Sequence, residues 1–134
     1  MDGHDGAGLL LDTQALLWWL EDNDRLGTIA RHVIEEAETT LYLSAVTPWE
    51  TQIKRAKRHE PLLTPERLDQ LGKNGFEFVP ITAEDGLLAG ALPRHHEDPF
   101  DRMLVAQCMR RGLALITSDR IMRRYDIPVL PATA

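Results

Sequence analysis

Apolar residues along this chain fall into two alternating kinds of segment. Short runs at 9–11, 41–43, 76–79, 113–116 and 128–130 are too brief for helices and end at polar residues, as buried strands do. Longer stretches with helical spacing lie between them. Residues 13–20 are rich in Ala, Leu and Trp, and 28–38 carries Ile29, Ala30, Val33, Ile34 and Ala37 on one face. Start and stop signals place the other helices. Thr47-Pro48-Trp49-Glu50 reads as N-cap, first helical residue and the acid of a capping box, opening a helix to about residue 59. Thr64-Pro65-Glu66 repeats that logic for a helix to about residue 71, with a turn over 72–75. A helix over 83–92 follows the third strand. Asp98-Pro99 opens a helix that Gly112 stops after residue 111, and 119–124 is a short helix.

Strands that alternate with helices imply parallel pairing, because each return crosses the sheet through a helix. The expected fold is α/β, with a mainly parallel central sheet of about five strands flanked by helices. The 134 residues suit one domain over 1–134, with 1–7 expected to be a flexible lead-in. A 43% hydrophobic and 27% charged composition excludes a disordered or fibrous chain. One cysteine, Cys108, allows no internal disulfide and fits a reducing compartment. No apolar run approaches the ~20 residues of a membrane span. The acidic, Gly-rich start does not resemble a signal peptide. A cytoplasmic protein with no membrane partner is expected.

The net charge of −6 runs against nucleic-acid binding, but its distribution changes that picture. Basic residues gather at Lys54, Arg55, Lys57 and Arg58, and again at Arg110, Arg111, Arg120, Arg123 and Arg124. Acids punctuate the elements. Asp12 follows the first strand, Glu50 lies in the first turn after the second, and Asp119 follows the fourth. In open parallel sheets, sites form at the carboxyl ends of strands, where strand order reverses. Asp101, in the first turn of the helix before the fourth strand, joins them only if the loop after Leu92 returns to that edge. Two carboxylates ~4 Å apart repel by roughly 4 kcal/mol at an effective dielectric near 20. Clustering four therefore calls for a cation, and oxygen ligands suit Mg²⁺ or Mn²⁺ better than Zn²⁺. Such an ion activates water and stabilises phosphoryl charge, which points to nuclease chemistry.

Three segments, LLLDTQALLWWL, LSAVTPWE and HHEDPFDRMLVAQCMRRGLALITSD, resemble in order and spacing the PIN-domain family, and within it the VapC-like toxins of type II toxin–antitoxin pairs. The resemblance spans nearly the whole chain, and the third segment is its most specific part. It implies a ribonuclease whose quartet of acids holds one or two Mg²⁺ or Mn²⁺ ions, with Asp12, Glu50, Asp101 and Asp119 as that catalytic, metal-binding quartet. Thr117 falls where the family often has a site hydroxyl. The resemblance also implies a homodimer, an RNA substrate and inhibition by a cognate VapB-like antitoxin, with promoter DNA bound only through the antitoxin.

Blander roles stand beside these. Glu50 completes a capping box without any metal, Asp98 is a good N-cap, and Asp12 and Asp119 are placed as ordinary caps. Asp98 reads as a cap that supports the site from behind. Arg102 reads as a phosphate contact, as an orienter of Asp98 or Asp101, or as a solvated surface residue. His95 and His96 lack zinc-site spacing and read as loop residues near the site. Phe100, Leu104 and Cys108 form a core stripe. Adjacent Trp18 and Trp19 cannot share one stripe, so one is core and the other faces a partner. The group from Lys54 to Arg58 is either a solvated face or a track for RNA phosphates. Two rival functions remain open at this point. One is a non-catalytic PIN-like interaction module, though no acid is missing. The other is a Mg²⁺ phosphohydrolase with Asp12 as nucleophile, though no D-x-D-x-T run follows the strand.

Overall fold

The computed structural model describes residues 8–36, 38–54 and 63–133. Among them five strands form one sheet: β1 Leu9–Leu11, β2 Leu41–Ser44, β3 Glu77–Val79, β4 Ala114–Thr117 and β5 Val129–Pro131. The order is β3-β2-β1-β4-β5, and every neighbouring pair is parallel. The helices are α1 Thr13–Leu20, α2 Thr28–Glu35, α3 Val46–Lys54, α4 Pro65–Lys73, α5 Ala83–Ala91 and α6 Pro99–Arg111, with a 3₁₀ turn at Arg120–Arg124. The expected lead-in 1–7, the apolar position Ala37, and the helix end near residue 59 with Arg55, Lys57 and Arg58 lie outside the described residues.

Successive strand residues point to opposite faces, so a sheet covered on both faces needs unbroken apolar runs. Leu11, Leu43 and Ile116 pack on one face with Leu16, Ala30 and Leu71 of α1, α2 and α4. Leu10 and Leu115 pack on the other with Ala89 of α5 and Leu104, Val105 and Cys108 of α6. Cys108 is buried, and burial pushes its thiol up to about 12, so it is an inert packing group. The chain walks outward from β1 through β2 to β3, then returns to add β4 and β5 on the other side of β1. Connections leaving β1 and β4 diverge, and their carboxyl ends border the crevice where open sheets place their sites.

Two glycines are dictated by backbone. Gly8, at φ +84°, enters β1 where an added Cβ would lie 2.6 Å from the Tyr42 ring and 2.8 Å from the Thr40 carbonyl oxygen. Gly112, at φ 66°, ends α6 in the left-handed conformation expected of its stop signal.

Three expectations need correction. The helix after β2 starts at Val46, whose N–H donates to the Ser44 hydroxyl at 3.0 Å, so Thr47 is not its cap and Glu50 closes no box. Pro48 is accommodated because first-turn N–H groups have no helical partner to lose. A capping box does form at α5, between Thr82 and Asp85. The second tryptophan does not stand free: Trp19 is half-buried and packs edge-on against Phe76 at 5.5 Å, and the exposed aromatics are Trp49, 58% accessible, and Phe78. Finally, the downstream basic residues are not one group. Arg110 and Arg111 reach back to the fully buried Asp85, whose carboxylate accepts from each at 2.9 Å, whereas Arg120, Arg123 and Arg124 lie on the turn after Asp119.

Candidate active site

Four local decisions bring the acids to one place. Asp12 ends β1 and caps α1, accepting the Ala15 N–H at 2.7 Å. Glu50 sits one turn inside α3 and points back toward α1. Asp98 caps α6 with Pro99 in its first turn, and Asp101 follows on the next face. Asp119 caps the 3₁₀ turn after β4, accepting the Ile121 N–H at 3.0 Å. The loop after α5 does return α6 to this edge. Asp12, Glu50, Asp101 and Asp119 all line one open groove of about 290 Å³, joined there by Thr13, Lys54 and Ser118.

The groove is electrostatically strained. Burial, aided by Glu50 and Asp119, lifts Asp12 to about 6 against the pull of a Thr117 hydroxyl bond and the Ala15 N–H. Burial, followed by repulsion from Asp98 and Glu50, lifts Asp101 to about 7. Thr117 thus serves the site through Asp12, and its hydroxyl also accepts the Asp119 N–H at 3.1 Å. Asp98 is different. Burial opposes its ionisation, but the Asp101 N–H and the Lys54 ammonium outweigh that and hold its carboxyl below the usual range. It is a satisfied cap at the rim.

The PIN domain family matches this sequence over residues 9–128. The chain belongs to the PIN-domain family. It is 31% identical over 125 residues to Ribonuclease VapC22 of Mycobacterium tuberculosis, covering 90% of this chain and 93% of that protein. Solved structures share the fold at lower identity. A crystal structure of VapBC2 from Rickettsia felis, bound to a DNA fragment from their promoter, gives a TM-score of 0.71 at 13% identity, covering 92% of this chain and 98% of that one. DNA-bound VapBC from Salmonella typhimurium gives 0.65 at 19% identity, covering 92% and 97%.

Three side chains at this PIN groove take partners that the sequence reading did not assign to them. The Thr13 hydroxyl donates to Glu50 Oε1 at 2.6 Å, joining α1 to α3. Lys54 Nζ donates to Glu50 Oε2 at 2.6 Å and to Asp98 Oδ2 at 3.2 Å. Its position four residues after Glu50 was a usable signal. Burial works against the Lys54 ammonium, but Glu50 and Asp98 raise its pKa on balance.

His96 is the third, and it is more than a loop residue. Its Nε2 lies 2.7 Å from Asp119 Oδ2 and 3.0 Å from Asp101 Oδ2. Its Nδ1 accepts the Asp98 N–H at 3.1 Å. A backbone N–H only donates, so Nδ1 carries no proton and Nε2–H is the group shared by the two carboxylates. Histidine here bridges two acids, and the ligand atoms of all three groups lie within 4.8 Å of one another, close enough to surround a cation. The Tyr125 hydroxyl, bonded to the His96 N–H at 3.0 Å and to the Pro93 carbonyl at 2.8 Å, holds the loop that presents it.

Arg102 corrects the sequence reading. It is buried and turned away from the acids. Its guanidinium donates to the carbonyls of Ala89 at 2.9 Å, Leu92 at 2.9 Å and Pro93 at 3.1 Å, which have lost their helical partners at the end of α5. It therefore neither touches RNA from this position nor orients Asp98 or Asp101. It ties the loop carrying His96 to α6.

Proposed function

We propose that this chain is a metal-dependent endoribonuclease of the VapC toxin type, hydrolysing RNA phosphodiester bonds, and that residues 1–134 form one such domain. The observation that carries this reading is the convergence of Asp12, Glu50, Asp101 and Asp119 on one groove at the strand-order switch. The donor set suits a hard divalent cation: all four groups are carboxylates, and burial, then repulsion from neighbouring acids, lifts two of them to about 6 and about 7. Mg²⁺ or Mn²⁺ held by these four acids would supply a Lewis acid for the phosphoryl group and a more acidic water.

The chain's own residues prepare that site. Thr13 and Lys54 each hold one oxygen of Glu50. His96 keeps Asp101 and Asp119 facing each other. Thr117 fixes Asp12 and the Asp119 backbone together. Such supporting bonds preorganise a carboxylate cluster that would otherwise spread apart.

The names of the relatives support the rest of the reading. The VapBC relatives were solved with bound DNA, in one case a promoter fragment. By extension, this chain forms a homodimer, is inhibited by a cognate VapB-like antitoxin, and meets promoter DNA only through that antitoxin. Among the described residues no helix is long and apolar enough to cross a membrane, and an RNA substrate suits the cytoplasm.

The test is cleavage of end-labelled total RNA by purified protein with Mg²⁺, Mn²⁺ or EDTA, beside Asp101→Asn. Discrete, metal-dependent cuts that disappear in the variant are expected. Folded, antitoxin-free protein that leaves all RNA intact with either metal would overturn the proposal.

A further inference from the structure

The acid groove has a neighbour. A second open groove, of about 580 Å³, is lined by Thr28, Ser118, Asp119, Arg120, Arg123 and Thr133, among others. Ser118 and Asp119 line both grooves, so the two are continuous around the end of β4. The second groove runs between the start of α2 and the 3₁₀ turn.

Its cations are distinctive. In a chain of net charge −6, most described cations have partners: Lys54 has Glu50 and Asp98, Arg110 and Arg111 have Asp85, and Arg31 has Asp22. Arg120 and Arg123 are exposed and make no hydrogen bond or ion pair among the described residues. Being three apart on a 3₁₀ turn, their side chains project from one side of it. The hydroxyls of Thr28, Ser118 and Thr133 add neutral donors around the same groove.

A polyanion brought to four carboxylates is repelled by them unless cations offset the charge beside the reacting centre. The second groove is where the fold leaves such cations unpaired. Guanidinium groups with flanking hydroxyls match phosphate oxygens and ribose hydroxyls, and neither reads base identity. We propose that this groove is a backbone subsite for the single-stranded RNA flanking the scissile bond, with Arg120 and Arg123 as its phosphate contacts. The proposal rests on the nuclease reading and extends it to how the strand is held.

The experiment measures binding of a fluorescent single-stranded RNA oligonucleotide by anisotropy across a salt series. It uses the full chain carrying Asp101→Asn, so that the strand stays intact, alone and combined with Arg120→Gln plus Arg123→Gln or with Arg124→Gln. Arg124 sits on the same turn but does not line the groove. The double substitution is expected to weaken binding about tenfold and to flatten the dependence of log K on log salt by roughly 1 to 1.5, since about 0.7 is lost per phosphate contact on single strands. Arg124→Gln is expected to change affinity less than about twofold. In the otherwise wild-type enzyme, the double substitution should raise KM for RNA cleavage about tenfold and leave kcat within about twofold, as loss of uniform binding does.

Equal losses in the double and Arg124 variants would mean a general charge effect and overturn the subsite. So would unchanged RNA affinity in the double variant, including the case where it instead escapes antitoxin inhibition, which would give the groove to the antitoxin. If wild-type protein cleaves RNA while the double variant behaves like it, only the subsite fails. If wild-type protein cleaves nothing, the nuclease reading fails first.

Discussion

Removing the charge of Asp101 should stabilise the metal-free protein while destroying its response to metal. Asp101 rises from an ordinary 3.8 to about 7, chiefly by burial and then by its acidic neighbours. The folded state therefore holds the Asp101 proton more tightly than the unfolded state does. The stability this contributes is fully present below pH 3.8 and is lost as pH rises toward about 7. At about 1.4 kcal/mol per pH unit, a fully realised effect would slightly exceed 4 kcal/mol. With 21% of the side chain in water and His96 offering partial compensation, about 1–2 kcal/mol is the realistic share. Asparagine keeps an acceptor for His96 Nε2–H, so the clamp is not broken along with the charge. In EDTA at pH 8, Asp101→Asn should melt about 5 °C above wild type. At pH 3, below the unfolded value of 3.8, the two should nearly coincide. Added Mn²⁺ should raise the wild-type Tm and leave the variant unmoved. A variant that melts at or below wild type in EDTA at pH 8 would refute the reasoning, because the acids would then not be mutually destabilising.

Other outcomes follow from the same structure. His96→Gln retains a donor near the Nε2 position, whereas His96→Asn retains only an acceptor for the Asp98 N–H. Calorimetric titration with Mn²⁺ should find Gln within severalfold of wild type and Asn weaker by about 10–100-fold; a Gln variant as weak as Asp101→Asn would make His96 a ligand. Asp85 is fully buried, and although burial opposes its charge, Arg111, the Thr82 N–H and Arg110 hold its carboxyl well below the usual range. Its contribution is therefore present above pH 3.8 and lost as pH falls further. Asp85→Ala should cost about 3 kcal/mol in urea unfolding at pH 7, and a loss under about 1 kcal/mol would contradict the assignment. Gly8→Ala must adopt φ +84° and displace Tyr42 or the Thr40 backbone, so about 2 kcal/mol or more should be lost in the same assay; an unchanged midpoint would show that the strand entry can relax.

Much of this protein is written in local pattern. The runs at Leu9–Leu11 and Ala114–Thr117, the Asp98-Pro99 start and the Gly112 stop each depend on near neighbours, so α/β order and element ends were legible without contacts. The acids were legible too, because each occupies a strand end or a first helical turn. Tertiary structure decided what meets what. Whether Asp101 reached Asp12 depended on the path of the loop after α5, and that path is held by Arg102 on helix-end carbonyls and by Tyr125 on the His96 N–H. The same long-range geometry took Arg110 and Arg111 to Asp85, left Arg120 and Arg123 unpaired beside the acids among the described residues, and turned His96 into a clamp. Sequence spacing constrains partners within about one helical turn. Beyond that range, burial and the need to satisfy each polar group choose the partner, and that choice exists only once the chain has folded.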